Sequence, residues 1–315
     1  MDSRKDIIIT GGAGFIGSEF VKYVTTKKKF RKIIILDKLT YAADLNRIAE
    51  ELQFENVELI EKDINDIYLF EKEILSSSHL IHFAAETHVD RSIENGIPFI
   101  ETNIKGTFAI LEAAKLNPEI RVLIVSTDEV YGSINEKEAD EFASLKPSSS
   151  YSASKASADL LALAAATTFK QKIIISRCCN NYGPGQNIEK FIPNMINSII
   201  NGNLLSIYGN GLNIREWINV KDHVNALWEI LINGKIGEIY NIGTADRYTN
   251  LELALKILKI FKLTEEQISF VPDRKGHDYR YALNSKKIEK ELNWRPNYHL
   301  DSDLRNLVKT YIGDN

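Results

Sequence analysis

Short runs of branched aliphatic residues recur through the first half of the chain. Each is stopped by glycine or by an acid, and each leads into a stretch whose apolar residues fall three or four apart. Residues 7–10, 33–36, 57–60, 79–83, 122–125 and 173–176 have this character. Continuous apolar runs of that length predict strands buried on both faces, as in a parallel sheet. Between them Phe20, Val21 and Val24, then Ile104, Phe108, Leu111 and Ala114, then the Ala- and Leu-rich residues 156–169 keep helical spacing. Strands alternating with helices predict right-handed crossovers and a doubly wound parallel α/β sheet. Beyond residue 178 the pattern changes. A run of turn residues, Asn180 to Gly185, reads as a loop, and helices are predicted over 222–231, 251–261, 286–292 and 300–311. With no internal repeat and no low-complexity linker, the second, smaller unit must be interleaved with the first. The expected division is 1–177 plus about 215–243 against about 178–214 plus 244–315, with a cleft between the two above the strand ends.

The first strand runs into Gly11, Gly12, Ala13, Gly14, Phe15, Ile16 and Gly17, with a helical pattern after them. Gly12, Gly14 and Gly17 match the dinucleotide fingerprint of a Rossmann sheet in its required setting. Glycines there let backbone N–H groups approach a pyrophosphate at a helix N-terminus. The second strand ends in Asp37, where an acid hydrogen-bonds a ribose hydroxyl and repels a 2′-phosphate, which predicts NAD rather than NADP. Lys38 beside it is the one residue that could tolerate a phosphate. Asp37 holds the discriminating position. Ala84 and Ala85, at the end of the fourth strand, leave room for a flat ring.

Composition narrows the class further. The 315 residues are 44% hydrophobic and 26% charged with a net charge of −4, an ordinary globular balance. It offers no footprint for nucleic acid or an anionic membrane. Two adjacent cysteines, Cys178 and Cys179, cannot form a disulfide framework, and the six histidines include no pair at zinc-ligand spacing. No structural metal is expected. The polar residues Asp2 to Asp6 lead directly into a short apolar run, with no signal-like core, so a cytoplasmic, reducing location is expected.

The candidate chemistry gathers between residues 126 and 155. The fifth strand leads to Thr127, Asp128 and Glu129, and the chain returns through Tyr151 and Lys155. Spaced by four, that Tyr and Lys share one face if the segment is helical. An ammonium near a phenol favours the phenolate, which could accept a proton from a sugar hydroxyl near neutral pH. Asp128 and Glu129 add one possible acid and one possible base.

These stretches, together with residues 37–42, 82–92, 126–132, 180–184 and 273–278, resemble the extended short-chain dehydrogenase/reductases. More narrowly they resemble the nucleoside-diphosphate-glucose 4,6-dehydratases, of which the dTDP-glucose enzymes are the best known. The resemblance covers nearly the whole chain. It implies NAD as cofactor and a nucleoside-diphosphate hexose as substrate. Tyr151 then takes the proton of the 4-hydroxyl, with Thr127 hydrogen-bonded to the same oxygen. Glu129 removes the carbon-bound proton acidified by the new ketone, and Asp128 protonates the departing 6-hydroxyl. By the same resemblance the cofactor meets Gly11, Gly12, Gly14, Phe15, Ile16 and Gly17, then Asp37, Lys38, Leu39, Thr40, Asp63, Ile64, Ala84, Ala85, Thr102, Tyr151, Lys155 and Asn181. The sugar nucleotide meets Thr87, Thr127, Asn180, Lys190, Phe191, Ser206, Tyr208, Arg215, Asn250, Arg274 and His277. Two arginines suit a diphosphate because each offers a planar fork of donors.

Glycine and Tyr/Lys motifs serve the whole superfamily, so the adjacent carboxylates carry the choice of reaction. Elimination needs an ionised base and a neutral acid at once, and a sister 4-epimerase or decarboxylase needs neither. Departures from the family pattern at Thr87, Asn210, Lys275 and Tyr279 fall in the nucleotide region, which leaves a UDP-sugar as an alternative substrate. A noncatalytic NAD-binding scaffold is a further alternative, although it has no need of a phenol beside an ammonium. The apolar 156–169 stretch, paired with the helix from Asn103, predicts a homodimer joined by a four-helix bundle.

Overall fold

Seven short strands form one all-parallel sheet in the computed structural model, which describes residues 5–313. Asp2, Ser3 and Arg4 of the polar lead-in lie outside the described residues. In chain order the strands are β1 (Asp6–Thr10), β2 (Ile33–Asp37), β3 (Val57–Glu61), β4 (Ser77–His82), β5 (Arg121–Thr127), β6 (Lys172–Cys178), β7 (Asn180–Tyr182), β8 (Leu205–Tyr208), β9 (Ile214–Asn219), β10 (Ile239–Ile242), β11 (Arg247–Thr249) and β12 (Ile268–Val271). The large sheet has the order β10-β6-β5-β4-β1-β2-β3. The order reverses between β1 and β4, and the crevice above that reversal is where such a sheet binds ligands.

Burial on both faces explains the unbroken apolar runs. On one face the Phe15–Lys27 and Val220–Asn233 helices pack through Phe20, Val21, Val24, Val224 and Leu227. On the other, the Thr107–Ala114 and Ser150–Phe169 helices supply Ile110, Leu111, Ala162 and Ala165. A third core, around Ile192, Ile196, Trp217, Leu253, Ile257, Leu304 and Val308, belongs to the smaller layer. That layer carries the β11-β9-β7 sheet and the β12-β8 pair.

Three features differ from the sequence reading. β9 pairs with β7 and β11 in the small sheet, so the chain returns to the large sheet at Val220 and not near residue 215. β10, which the sequence left unassigned, forms the seventh strand beside β6. The helix expected from Asn103 is preceded by a wider π-type turn, Ile100–Gly106, before regular α-helix resumes at Thr107. Such turns insert one extra residue and re-aim side chains near functional sites. Here the turn brings Asn103 to its partners. Its Oδ1 accepts from Glu86 N at 2.8 Å, and its Nδ2 donates to Glu86 O at 3.0 Å and to Ser154 Oγ at 2.9 Å. One amide therefore fixes the loop after β4 against the helix that carries Tyr151 and Lys155.

Candidate active site

The cleft lies above the C-terminal ends of β1, β2, β4, β5 and β6 and has a volume of about 310 Å³. Its floor at one end is the glycine loop. Gly11 has φ +70°, and a Cβ on Gly17 would stand 2.2 Å from Gly11 O. No side chain fits at that crossing, so the loop backbone stays bare where the Phe15–Lys27 helix begins. Gly12 faces away from the cleft and lets the loop pack on Ile35.

Asp37 has a double role. Its Oδ2 accepts from Ala13 N and its Oδ1 from Leu39 N, both at 2.9 Å. The acid fixes the glycine loop and holds Leu39 in a positive-φ turn, while each oxygen retains acceptor capacity. Lys38 is turned to Asp63 Oδ2, at 3.3 Å, and to Thr102 Oγ1, at 3.4 Å. Gly14, Phe15, Ile16, Thr40, Ile64, Ala84, Ala85 and Asn181 also line the cleft. Leu39 and Asp63 are not part of the lining. A bare glycine cradle beside a carboxylate at the second strand's end fits NAD.

At the other end of the cleft the chemistry converges. β5 delivers Thr127, whose extended backbone caps a short 3-10 helix, Asp128–Tyr131; Glu129 N donates to Thr127 Oγ1 at 3.3 Å. Gly132 ends that turn at φ +67°, where a Cβ would stand 2.1 Å from Lys146 O. The tight turn leaves both Asp128 and Glu129 in the cleft wall. Ser149 and Ser152 form a capping box that starts the next helix one residue before Tyr151, so Tyr151 and Lys155 project from its first turns into the same space.

The two carboxylates are not alike. Burial pushes Asp128 well above the ordinary carboxylate range, and the negative charges of Glu129, Cys178 and Glu216 push it further, with Arg215 opposing. Its Oδ1 accepts from Thr127 Oγ1 at 3.2 Å, and its buried Oδ2 has no partner among the described residues. Burial also raises Glu129, but Arg274, Arg215 and Lys190 all pull it back. Asp128 is therefore the group held neutral, and Glu129 the more readily ionised.

Tyr151 and Lys155 differ from the sequence expectation. Burial raises the phenol's pKa, with Glu129 and Asp128 adding to the rise, and only a hydrogen bond from Thr127 is a close opposing influence. Lys155 does not lower it. Its ammonium donates to Val125 O at 2.8 Å, and burial brings its own pKa down to about 8. In the open cleft the phenol is neutral.

The substrate contacts implied by resemblance divide into two sets. Thr87, Thr127, Asn180, Lys190 and Phe191 line the cleft, and Lys190 Nζ donates to Thr87 O at 2.9 Å. Ser206, Tyr208, Arg215, Asn250, Arg274 and His277 lie outside its lining. Ser206 is exposed on the outer face of β8. Arg215 is buried, donates to Ile214 O and Asp278 O, and stacks on Tyr281 at 4.3 Å, which uses two of its five N–H donors. Arg274 faces Asp90 at 3.7 Å, Tyr208 reaches the same carboxylate at 3.5 Å, and His277 pairs with Asp273 at 2.7 Å.

Sequence reasoning missed Tyr281, Cys178 and His223. Tyr281 OH lies 2.8 Å from Asp278 Oδ2 and 3.5 Å from Glu129 Oε2. Cys178 and His223 line the cleft beside Asn181, whose Oδ1 is 2.8 Å from His223 Nδ1. No local motif could have signalled them, because Cys178 and His223 reach the cleft from separate elements and Tyr281 touches it only through Glu129. Among the described residues no group of His, Cys, Asp and Glu is placed to hold a metal ion, and no helix is long and apolar enough to cross a membrane.

Residues 8–307 match the model of the GDP-mannose 4,6 dehydratase family. The chain belongs to that family. It is 44% identical over 310 residues to the low-salt glycan biosynthesis protein Agl12 of Haloferax volcanii, with 98% of this chain and 99% of that one covered. It is 41% identical to a dTDP-glucose 4,6-dehydratase of Streptomyces niveus, covering 97% and 92%. The crystal structure of DesIV, a dTDP-glucose 4,6-dehydratase from Streptomyces venezuelae solved with NAD and TYD bound, superposes with a TM-score of 0.95. Its identity is 41%, over 98% of this chain and 97% of that one.

Proposed function

We propose that the protein is an NAD-dependent 4,6-dehydratase of a nucleoside-diphosphate glucose, with dTDP-glucose as substrate. The observation that carries this reading is the pair of unlike carboxylates, Asp128 and Glu129, facing the same cleft as Tyr151 and Lys155. When bound, NAD supplies a reversible hydride acceptor and a positively charged ring. Tyr151 is assigned to take the proton of the sugar's 4-hydroxyl, with Thr127 on the same oxygen. Its phenol is neutral in the open cleft, so it becomes a base only when positive charge is brought close. Glu129 removes the proton beside the resulting ketone while Asp128 protonates the 6-hydroxyl, so that water leaves across carbons 5 and 6; return to carbon 6 of the hydride taken from carbon 4, with a proton to carbon 5, then gives the 4-keto-6-deoxy sugar.

The cofactor unit is assigned to 1–177 with 220–243, and the sugar-nucleotide unit to 178–219 with 244–315. For the subunit contact we propose the paired helix faces that carry Ile100, Phe108, Leu160 and Phe169. These four apolar side chains are about half exposed and suit a four-helix bundle in a homodimer. A cytoplasmic location accords with the buried free cysteines.

The test is incubation with dTDP-, UDP-, CDP- and GDP-glucose, with the alkaline absorbance of the 4-keto-6-deoxy product as readout. Fastest turnover of dTDP-glucose is expected. Faster turnover of UDP-glucose would move the assignment to that sugar, and a 4-epimer in place of the ketone would refute the dehydratase reading.

A further inference from the structure

One phenol, that of Tyr281, separates Glu129 from a carboxylate that the reaction as described does not use. Asp278 ends the 273–278 stretch that carries Arg274 and His277, and it is buried. Its Oδ2 accepts from two hydroxyls, Tyr281 OH at 2.8 Å and Ser148 Oγ. Its backbone carbonyl accepts from Arg215 Nη2 at 3.0 Å and from Asn213 Nδ2 at 3.2 Å. Two residues earlier, a Cβ on Gly276 would stand 2.6 Å from Ser148 O. The stretch is therefore seated on the residue before Ser149, which caps the helix of Tyr151 and Lys155. Tyr281 is buried too, and Glu129 Oε2 lies 3.5 Å from the same hydroxyl that meets Asp278. A phenol has one proton to give. At 2.8 Å against 3.5 Å, that proton goes to Asp278.

Resting on the proposed role of Glu129 as base, we propose that Asp278 is a positioning residue: it holds the Tyr281 proton away from Glu129, so that the base meets its substrate with its lone pairs free. A hydrogen bond donated to a carboxylate favours the ionised form and lowers its affinity for a proton. A phenol turned onto Glu129 would therefore weaken the base. The other groups that face Glu129 act on it through charge. Arg274, Arg215 and Lys190 favour its ionised form, and Asp278 opposes them. Asp128 and Tyr151, both held neutral by burial, add no charge. Because Asp278 acts through its charge as well as through Tyr281, the two routes have to be separated.

The test follows the Glu129 carboxyl directly, by Cδ NMR titration of glutamate-labelled protein without cofactor, with the Glu129 resonance identified by its loss in Glu129→Gln. In parallel, the acidic limb of dTDP-glucose turnover is recorded. Asp278→Asn keeps the shape and an acceptor for Ser148, but its amide nitrogen donates to the phenol and turns the phenol's proton toward Glu129. The Glu129 midpoint should fall by at least about one pH unit, and the acidic limb should move down with it. Asp278→Ala, which offers Tyr281 no acceptor, is the second variant and should act in the same direction. In a Tyr281→Phe background there is no proton to redirect, so the same Asp278→Asn change should move the midpoint by less than half as much, the part owed to charge. Equal shifts in the two backgrounds, or a midpoint that stays or rises in either Asp278 variant, overturn the proposal. Protein in which Glu129 titrates as described, yet whose wild type does not turn over dTDP-glucose, refutes the proposed function instead.

Discussion

Asp128→Asn should make the protein more stable while disabling it, and the gain should depend on pH. Asp128 is 3% exposed, and burial raises its carboxyl far above the ordinary range. Below the unfolded value near 4 both states carry the proton and the group contributes no pH dependence. As pH rises the unfolded chain ionises first, whereas the folded chain keeps its proton. Stability then falls by about 1.4 kcal/mol per pH unit until the folded carboxyl ionises as well. Asparagine has the same shape and no such linkage. With unfolding entropy near 2.1 cal/mol/K per residue, 315 residues give about 0.66 kcal/mol/K, so each pH unit is worth about 2 °C in Tm. Thermal unfolding by circular dichroism at one scan rate, from pH 4 to pH 8, should show the two proteins close at pH 4. The variant should pull ahead by about 2 °C per unit above that. Elimination in the same variant should slow by about 10²-fold or more. A Tm difference that is flat with pH, or that favours the wild type at pH 7, would mean that Asp128 is ionised in the fold. It could then not be the acid.

Other perturbations read other parts of the site. Tyr151→Phe should abolish formation of enzyme-bound NADH on mixing with dTDP-glucose, with NAD affinity by calorimetry little changed; residual oxidation at more than about a hundredth of the wild-type rate contradicts its role as base. Gly17→Ala places a methyl 2.2 Å from Gly11 O and should weaken NAD at least about tenfold; an unchanged Kd would show that the loop yields at little cost. Phe108→Lys with Leu160→Lys puts charge on the exposed helix faces and should give monomers in sedimentation velocity at micromolar concentration. Dimers that persist would place the interface elsewhere.

What the sequence made legible was local. Runs such as Ile7 to Thr10 and Ile33 to Asp37 are strands because they are apolar throughout, and a segment buried on both faces leaves that mark. The Tyr151 to Lys155 spacing and the adjacency of Asp128 and Glu129 put those groups together whatever the rest of the chain does. β10 was not legible, because Ile239, Tyr240, Asn241 and Ile242 have neither an alternating nor an unbroken apolar pattern. They become a strand because β6 offers them an edge. Charge state was not legible either. Pairing a phenol with an ammonium four residues away assumed that they would face one another, yet Lys155 turns to the Val125 carbonyl and burial then governs Tyr151.

The interleaved topology accounts for how neighbouring carboxylates acquire different characters. Asp128 stands at the end of β5, where its electrostatic neighbours are mostly anionic: Glu129, Cys178 on β6 and Glu216 on β9. Glu129, one residue on, looks toward the smaller layer, and Arg274, Arg215 and Lys190 all come from it. The chain enters that layer after β6 and returns to the large sheet through the helix Val220–Asn233, which allows segments more than 60 residues apart to meet one side chain. If this division of charge sets the division of labour, loss of Arg274 should act on Glu129 and leave Asp128 little changed. Arg274→Gln removes the foremost of the three, so the Glu129 carboxyl should bind its proton more tightly and the acidic limb of the elimination step should move to higher pH. The Asp128-dependent stability difference should stay as it is. An acidic limb that does not move, or that moves down, would separate Glu129 from the proton abstraction.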